Sequence, residues 1–293
     1  MIDYKERIIS GDVTTGALQE KSLEIFKYFQ KICKENNLRY WVGGGTLIGA
    51  LRHQGFIPWD DDIDVFMPRP DYEKFYAIWN QVGDLNHYAL CRTTKEKNIH
   101  QTDMQLVDLT TTFINRHSRN EDILHGVSVD IMPFEGCPEN PIARGFQIYH
   151  SILYSIFNVQ RLPDHQGGLL RFATSIVLGA VKSPALRYKI WSRHEKKMAK
   201  YDFDSAKTVK ETITSFRALF YPHPRADFET MEVPFEDIMV SIPVGYDAYL
   251  RRIFGDYMQW PPEEGRVAKH DVVYANLNEP FEQYKGIHYC VNE

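Results

Sequence analysis

The sequence predicts an α+β fold: a mixed β-sheet core with packed helices, followed by a helical, loop-rich C-terminal half. Three observations predict it. As far as about residue 137, segments of helical and strand periodicity follow one another in the order helix, strand, helix, strand, helix and then several strands, an order that suits a mixed sheet with helices against it. Past Pro138 the periodicity turns helical and stays so to about Lys200. With 293 residues, 43% of them hydrophobic and 13% aromatic, the chain is also long and apolar enough to bury a substantial core.

Leu18, Leu23, Ile25, Phe26, Phe29 and Ile32 recur at amphipathic-helix spacing, which predicts a helix over Leu18 to Cys33 ending near Asn36 and Asn37. Arg39 to Val42 reads as a short strand entering three glycines, and Thr46 to His53 as a helix of about two turns. Gln54, Gly55 and Pro58 then make a turn into an acidic strand. After Pro68, Asp71 is placed to cap a helix whose packing face is Tyr72, Phe75, Tyr76 and Trp79. Further strands are expected at Tyr88 to Cys91, Gln105 to Leu109, Thr111 to Asn115 and Val127 to Met132. Beyond the helical stretch from Pro141 to Lys200, short proline-bounded segments surround one more helix at Tyr246 to Phe254. Without repeats or a long linker, the conservative division is a catalytic core over 1–137, with 138–293 completing its cleft.

Composition excludes some functions. A formal net charge of −5 gives no global basic footprint for nucleic acid. Cys33, Cys91, Cys137 and Cys290 are widely spaced without a CxxC pair, which argues against a zinc cluster and fits a reducing compartment. The N-terminus, MIDYKERIISGD, lacks the apolar segment of a secretory signal, so the expectation is a cytoplasmic protein. The longest apolar run, Leu169 to Val181, falls short of the ~20 residues of a spanning helix. It precedes Lys182, Arg187, Lys189, Arg193, Lys196, Lys197 and Lys200. That stretch reads as a buried helix followed by a solvated one, with contact to the inner face of an anionic membrane as the alternative.

The chemistry concentrates between Trp41 and Pro68, WVGGGTLIGALRHQGFIPWDDDIDVFMP. On a strand, Asp60, Asp62 and Asp64 alternate onto one face, where unpaired carboxylates repel. Such a row calls for a cation, and Mg²⁺ or Mn²⁺ carrying phosphate is the natural candidate. Asp130, within GVSVDIMP, is a third carboxylate among apolar neighbours, expensive to bury unless it meets a cation or donors. Gly43, Gly44 and Gly45 ahead of Thr46 allow close backbone approach, and the helix start beyond them directs N–H groups at an anion. Arg52 and His53 lie at the far end of that helix. A calcium loop is disfavoured because Val65 and Asp71 stand where its glycine and glutamate belong. A dinucleotide-binding turn is disfavoured by the spacing of GGGTLIG.

GGGTLIGALRHQGFIPWDDDIDVFMPRPDYEKF resembles the signature of the LicD family, phosphotransferases related to fukutin and built on the nucleotidyltransferase fold. VSVDIMPFEG resembles the family's later acidic strand, and the segment from VPFEDIMV to GRVAKHD its C-terminal part. The resemblance implies a nucleotidyltransferase-like core and metal-dependent transfer of phosphocholine, or a similar alcohol phosphate, from a CDP-activated donor such as CDP-choline. The acceptor it implies is a sugar hydroxyl of a cell-surface glycan, such as lipopolysaccharide or teichoic acid, or of its lipid-linked precursor, and CMP is the product. It makes Asp62, Asp64 and Asp130 the metal-binding and catalytic acids. Gly44, Gly45, Thr46 and Arg52 fall at the donor-phosphate loop, and Arg266 and His270 become substrate contacts. Nucleotidyl transfer with pyrophosphate release, or a catalytically silent nucleotide-binding protein, are the alternatives.

Overall fold

The computed structural model describes residues 3–161, 168–214 and 217–291, with only the backbone described over 168–173. A hairpin of β1 (Ile8–Ser10) and β2 (Val13–Thr14) leads into α1 (Thr15–Glu35), whose first turn is capped by the Thr14 hydroxyl accepting from the Ala17 amide. Then come β3 (Trp41–Val42), α2 (Gly44–His53), β4 (Asp64–Pro68), α3 (Arg69–Val82), β5 (Tyr88–Cys91), β6 (Met104–Asp108), β7 (Thr112–Asn115) and β8 (Ser128–Cys137). Three helices follow, α4 (Pro141–Val159), α5 (Gly168–Ala180) and α6 (Pro184–Met198). The chain ends with β9 (Thr208–Glu211), β10 (His223–Pro224), the hairpin β11 (Thr230–Phe235) and β12 (Ile238–Pro243), α7 (Tyr246–Phe254) and β13 (Val272–Asn276).

The expected mixed sheet is present. Its axis is β8, long enough to pair β4 in parallel along one edge while β6 and then β9 run antiparallel along the other. β3 and β10 extend the sheet outward, and β5 pairs β6. Register places Asp64, Asp130 and Gln105 side by side across β4, β8 and β6, all on one face. One residue on, Val65, Ile131 and Met104 form the opposite face and are fully buried. The apolar row fixes the register, because a one-residue slip would put both carboxylates into the core.

The main core joins α1, α2, α3 and this sheet to residues as distant as Phe228, Ile242, Tyr249 and Ala275. A second cluster of Tyr154, Phe157, Leu178, Trp191 and Met198 holds α4, α5 and α6 together. The C-terminal half is helical only to Met198. Beyond it β9 and β10 enter the central sheet, β13 pairs β7, and α7 is the one remaining α-helix among the described residues.

Two local expectations are corrected. Asp71 does not cap α3: the helix begins at Arg69 after Pro68, and the Asp71 carboxylate, in the first turn, accepts from the amide and the Nε of Arg39. The acidic strand starts only at Asp64, so Asp60 and Asp62 precede it in irregular backbone. Residues 57–60 close a turn with the Asp60 amide on the Ile57 carbonyl, and the buried Gln19 amide of α1 donates to the carbonyls of both Ile57 and Asp60. The apolar run expected to be buried, 169–181, forms most of α5; its side chains before Thr174 lie outside the described residues, and beyond them Thr174 and Leu178 are buried while Ile176 is exposed.

Candidate active site

Because residues 60–63 are not a strand, the aspartates spread around a cleft rather than lining one face. Asp64 and Asp60 face the glycine turn. A Cβ on Gly44 would stand 2.5 Å from Asp64 Oδ2, and one on Gly45 2.3 Å from Asp60 Oδ2. Gly44 has φ +49°, a conformation that also favours glycine. An anion at the start of α2 therefore meets two carboxylates beside the helix's amides, and a cation between them reconciles the two. Thr46 is buried, and its hydroxyl accepts the Asp64 amide at 3.0 Å, which ties α2 to the first residue of β4.

Asp62 and Asp130 open into a cavity of ≈ 230 Å³ together with Asp61, Gln105 and His270. Asp130 Oδ1 accepts from Gln105 Nε2 at 2.8 Å and from Ser128 Oγ at 3.2 Å. His270 arrives through the pairing of β7 with β13, followed immediately upstream by the amide of Arg116 on the carbonyl of Asp271. Its Nδ1 stands 3.1 Å from Asp61 Oδ1. That ion pair occupies Asp61 Oδ1, whereas Asp61 Oδ2 and Asp103 Oδ2 are buried without a hydrogen bond.

The electrostatics follow from burial and like charge. Burial, then Asp62 and Asp61, raise the Asp60 carboxyl well above its usual range, and burial raises Asp62 despite His270. Asp64 is pushed up by burial, then by Asp62 and Asp130; Asp103 by burial and Asp130; Asp130 by burial against the Gln105 hydrogen bond. Burial would lower His270, but Asp61, Asp62 and Asp130 outweigh it and push it up to about 10. These carboxylates resist carrying their charges together without a cation. The carboxylates of Asp62, Asp64 and Asp130, with the unpartnered Asp61 Oδ2 and Asp103 Oδ2 beside them, fit a hard divalent ion. Asp61, Asp62 and His270 also bring one ligand atom each within 4.8 Å of one another.

Residues 37–152 match the family model for the LicD/FKTN/FKRP nucleotidyltransferase domain. The chain carries a LicD-family domain. Its likeness to one relative runs well beyond that domain: the lipopolysaccharide cholinephosphotransferase LicD of Haemophilus influenzae is 29% identical over 258 residues, 85% of this chain and 92% of that protein. Shorter matches are to human ribitol 5-phosphate transferase FKRP, 43% identical over 42 residues (14% of this chain, 8% of that protein), and to yeast mannosyltransferase regulator 4, 33% over 63 residues (22% and 5%).

The LicD-family domain contains Gly44, Gly45, Thr46, Arg52, Asp62, Asp64 and Asp130, whereas Arg266 and His270 lie outside it. Of the expected substrate contacts, His270 enters the acidic cavity. Arg52 Nη1 donates to the carbonyls of Tyr257 and Gln259, and its Nε to His53; no ion pair with the aspartates forms among the described residues. Arg266 Nε donates to the Pro261 carbonyl, and its guanidinium lies 5.1 Å from the Trp260 ring and 5.8 Å from that of Trp59. Two guanidiniums of the protein, from Arg52 and Arg266, thus lie over the Trp260 ring. Sequence reasoning missed Asp61, Asp103 and Gln105. Strict alternation turned Asp61 away from the site, and Asp103 and Gln105 become visible only through the pairing of β6 with β8.

Proposed function

We propose that this chain transfers phosphocholine, or a related alcohol phosphate, from a CDP-activated donor to a sugar hydroxyl of a cell-surface glycan or its lipid-linked precursor, releasing CMP. Support comes from the near full-length likeness to a cholinephosphotransferase and from the likeness to a ribitol 5-phosphate transferase. The observation that carries the reading is the convergence of Asp62, Asp64 and Asp130, from two separated segments, beside a glycine turn that opens a helix.

In this reading Asp62, Asp64 and Asp130 would hold Mg²⁺ or Mn²⁺, which would supply charge neutralisation at the donor diphosphate. The amides at the start of α2, with Gly44 and Gly45 leaving the backbone bare, bind the phosphate nearer the cytidine. His270, carrying a proton, donates toward a phosphate oxygen at the mouth of the cavity. The acceptor oxygen attacks the phosphorus that bears the alcohol, and its proton passes to Asp130, which Gln105 and Ser128 hold in place. The bond from that phosphorus to the bridging oxygen breaks, and CMP departs with the electron pair. In this division of labour residues 1–137 carry the acids and 138–293 complete the cleft through β13 and the loop before it.

The test is incubation with Mn²⁺ or Mg²⁺, an acceptor glycan and a panel of CDP-choline, CDP-ethanolamine, CDP-glycerol, CDP-ribitol and nucleoside triphosphates. Acceptor-dependent CMP release from one CDP-alcohol is expected. Pyrophosphate release from a triphosphate would replace this reading by nucleotidyl transfer, and binding without either product would replace it by a silent fold.

A further inference from the structure

α4 and α6 pack antiparallel: the Gln147 amide donates to the carbonyl of Met198, His150 Nδ1 meets His194 Nδ1 at 2.8 Å, and Tyr154 lies against Trp191. Gln147, Ser151 and Tyr154 form the buried face of α4. On its outer face Ile142, Phe146 and Tyr149, at spacings of four and three residues, are 72%, 60% and 52% exposed. So large an apolar ridge on a single helix is what a surface helix normally hides.

Its surroundings are positive. A groove beside the ridge is lined by Phe146, His150, Lys197, Lys200 and Tyr201. The chain's net charge is −5, yet from Lys182 to Lys200 there are seven basic residues and one acid, Glu195. That acid turns inward onto Arg69 and Arg92. Among the described residues Lys196, Lys197 and Lys200 are exposed and have no carboxylate partner, and Glu139, at the start of α4, is taken by Lys207. The field is felt by the two histidines: burial, then His194, Lys197, Lys200 and Arg193, hold His150 below its usual range, and burial with Lys197 and Arg193 does the same for His194.

We propose that the α4–α6 face is a peripheral membrane-docking surface for anionic phospholipid. The Ile142, Phe146 and Tyr149 ridge enters the headgroup layer while Lys196, Lys197 and Lys200 meet lipid phosphates. No helix of the described residues is long and apolar enough to cross a membrane, and the contact proposed for this face is peripheral. The face is separate from the acidic cavity. Asn158, which reaches the carbonyl of Gln101 at the cavity wall, lies twelve residues beyond Phe146, about 18 Å along the helix. The proposal rests on this surface alone and stands or falls independently of the donor and acceptor proposed above.

The full chain is sedimented with phosphatidylcholine vesicles with and without phosphatidylglycerol, at low and high salt. Binding only to the phosphatidylglycerol vesicles, released by salt, is expected. K197Q/K200Q should weaken it roughly 25-fold, from about fivefold per positive charge near an anionic surface. I142S/F146S should weaken it at low salt with its charges intact, and far-ultraviolet circular dichroism should show both variants folded. Binding equal on neutral vesicles, no binding, or binding indifferent to both variants would overturn the proposal. Concentration-dependent dimerisation abolished by I142S/F146S, without vesicle binding, would overturn it and assign the ridge to a second copy of the chain.

Discussion

Gly44 and Gly45 set how closely two carboxylates approach the start of a helix. Neither position has room for a methyl group without moving an aspartate. Gly45→Ala is therefore expected to push Asp60 aside and cost about 10²-fold in kcat/KM, the scale of an ångström's misplacement in a preorganised site. Steady-state kinetics on the donor panel measures this, and wild-type kinetics would show the turn to be remote from the chemistry. Asp62→Asn and Asp64→Asn each remove one negative oxygen at almost constant volume. Each is expected to lower turnover by ~10² or more while leaving the circular dichroism unchanged, since the group lost neutralises charge rather than packing a core. Turnover within a few-fold of wild type in either variant would remove that residue from the metal set.

Among the elements, α2 links both ends of the site. Its N-terminus faces Asp60 and Asp64, and from its last turn Arg52 reaches the carbonyls of Tyr257 and Gln259, in the segment that leads to Trp260, Arg266 and His270. Arg52→Ala is expected to loosen 257–266, seen as faster amide exchange there, with donor KM raised more than kcat falls. A raised KM with unchanged exchange would make Arg52 a direct donor contact instead. The sequence allowed α2, β5 and α7 to be placed almost to the residue, because glycines, apolar spacing and breakers bound them locally. It misplaced the start of β4, because the turn at 57–60 is held by Gln19, a contact from another helix. The same limit hid Asp61: its partner His270 is brought in by the pairing of β7 with β13, some 160 residues apart in sequence and carrying no local signal. Asp62, Asp64 and Asp130 were legible as acids flanked by apolar strand residues, but only the parallel register of β4 and β8 sets Asp64 beside Asp130.

For the molecule as a whole, the acidic cleft costs stability, and the cation proposed above would offset that cost. Asp60, Asp61, Asp62, Asp64, Asp103 and Asp130 crowd one region, and His270 and Lys269 act on Asp60 and Asp62 from the C-terminal loop. Burial and mutual repulsion both disfavour the charged state of these acids, an electrostatic cost that a bound divalent ion would offset. Mn²⁺ or Mg²⁺ binding only the folded state adds about 2.7 kcal/mol at a hundredfold excess over Kd. At ~2 °C per kcal/mol for a chain this size, Tm should rise on the order of 5 °C. Asp64→Asn should behave in the opposite way: in EDTA it is expected to melt above the wild type, because one repelling charge is gone, while its gain from added metal largely disappears. Differential scanning fluorimetry of both proteins, with EDTA and with Mn²⁺, reads the two effects separately. If the metal-free variant melts below the wild type, Asp64 is a structural acid held by the fold rather than strained by it. If both proteins gain equally from Mn²⁺, the ion binds elsewhere.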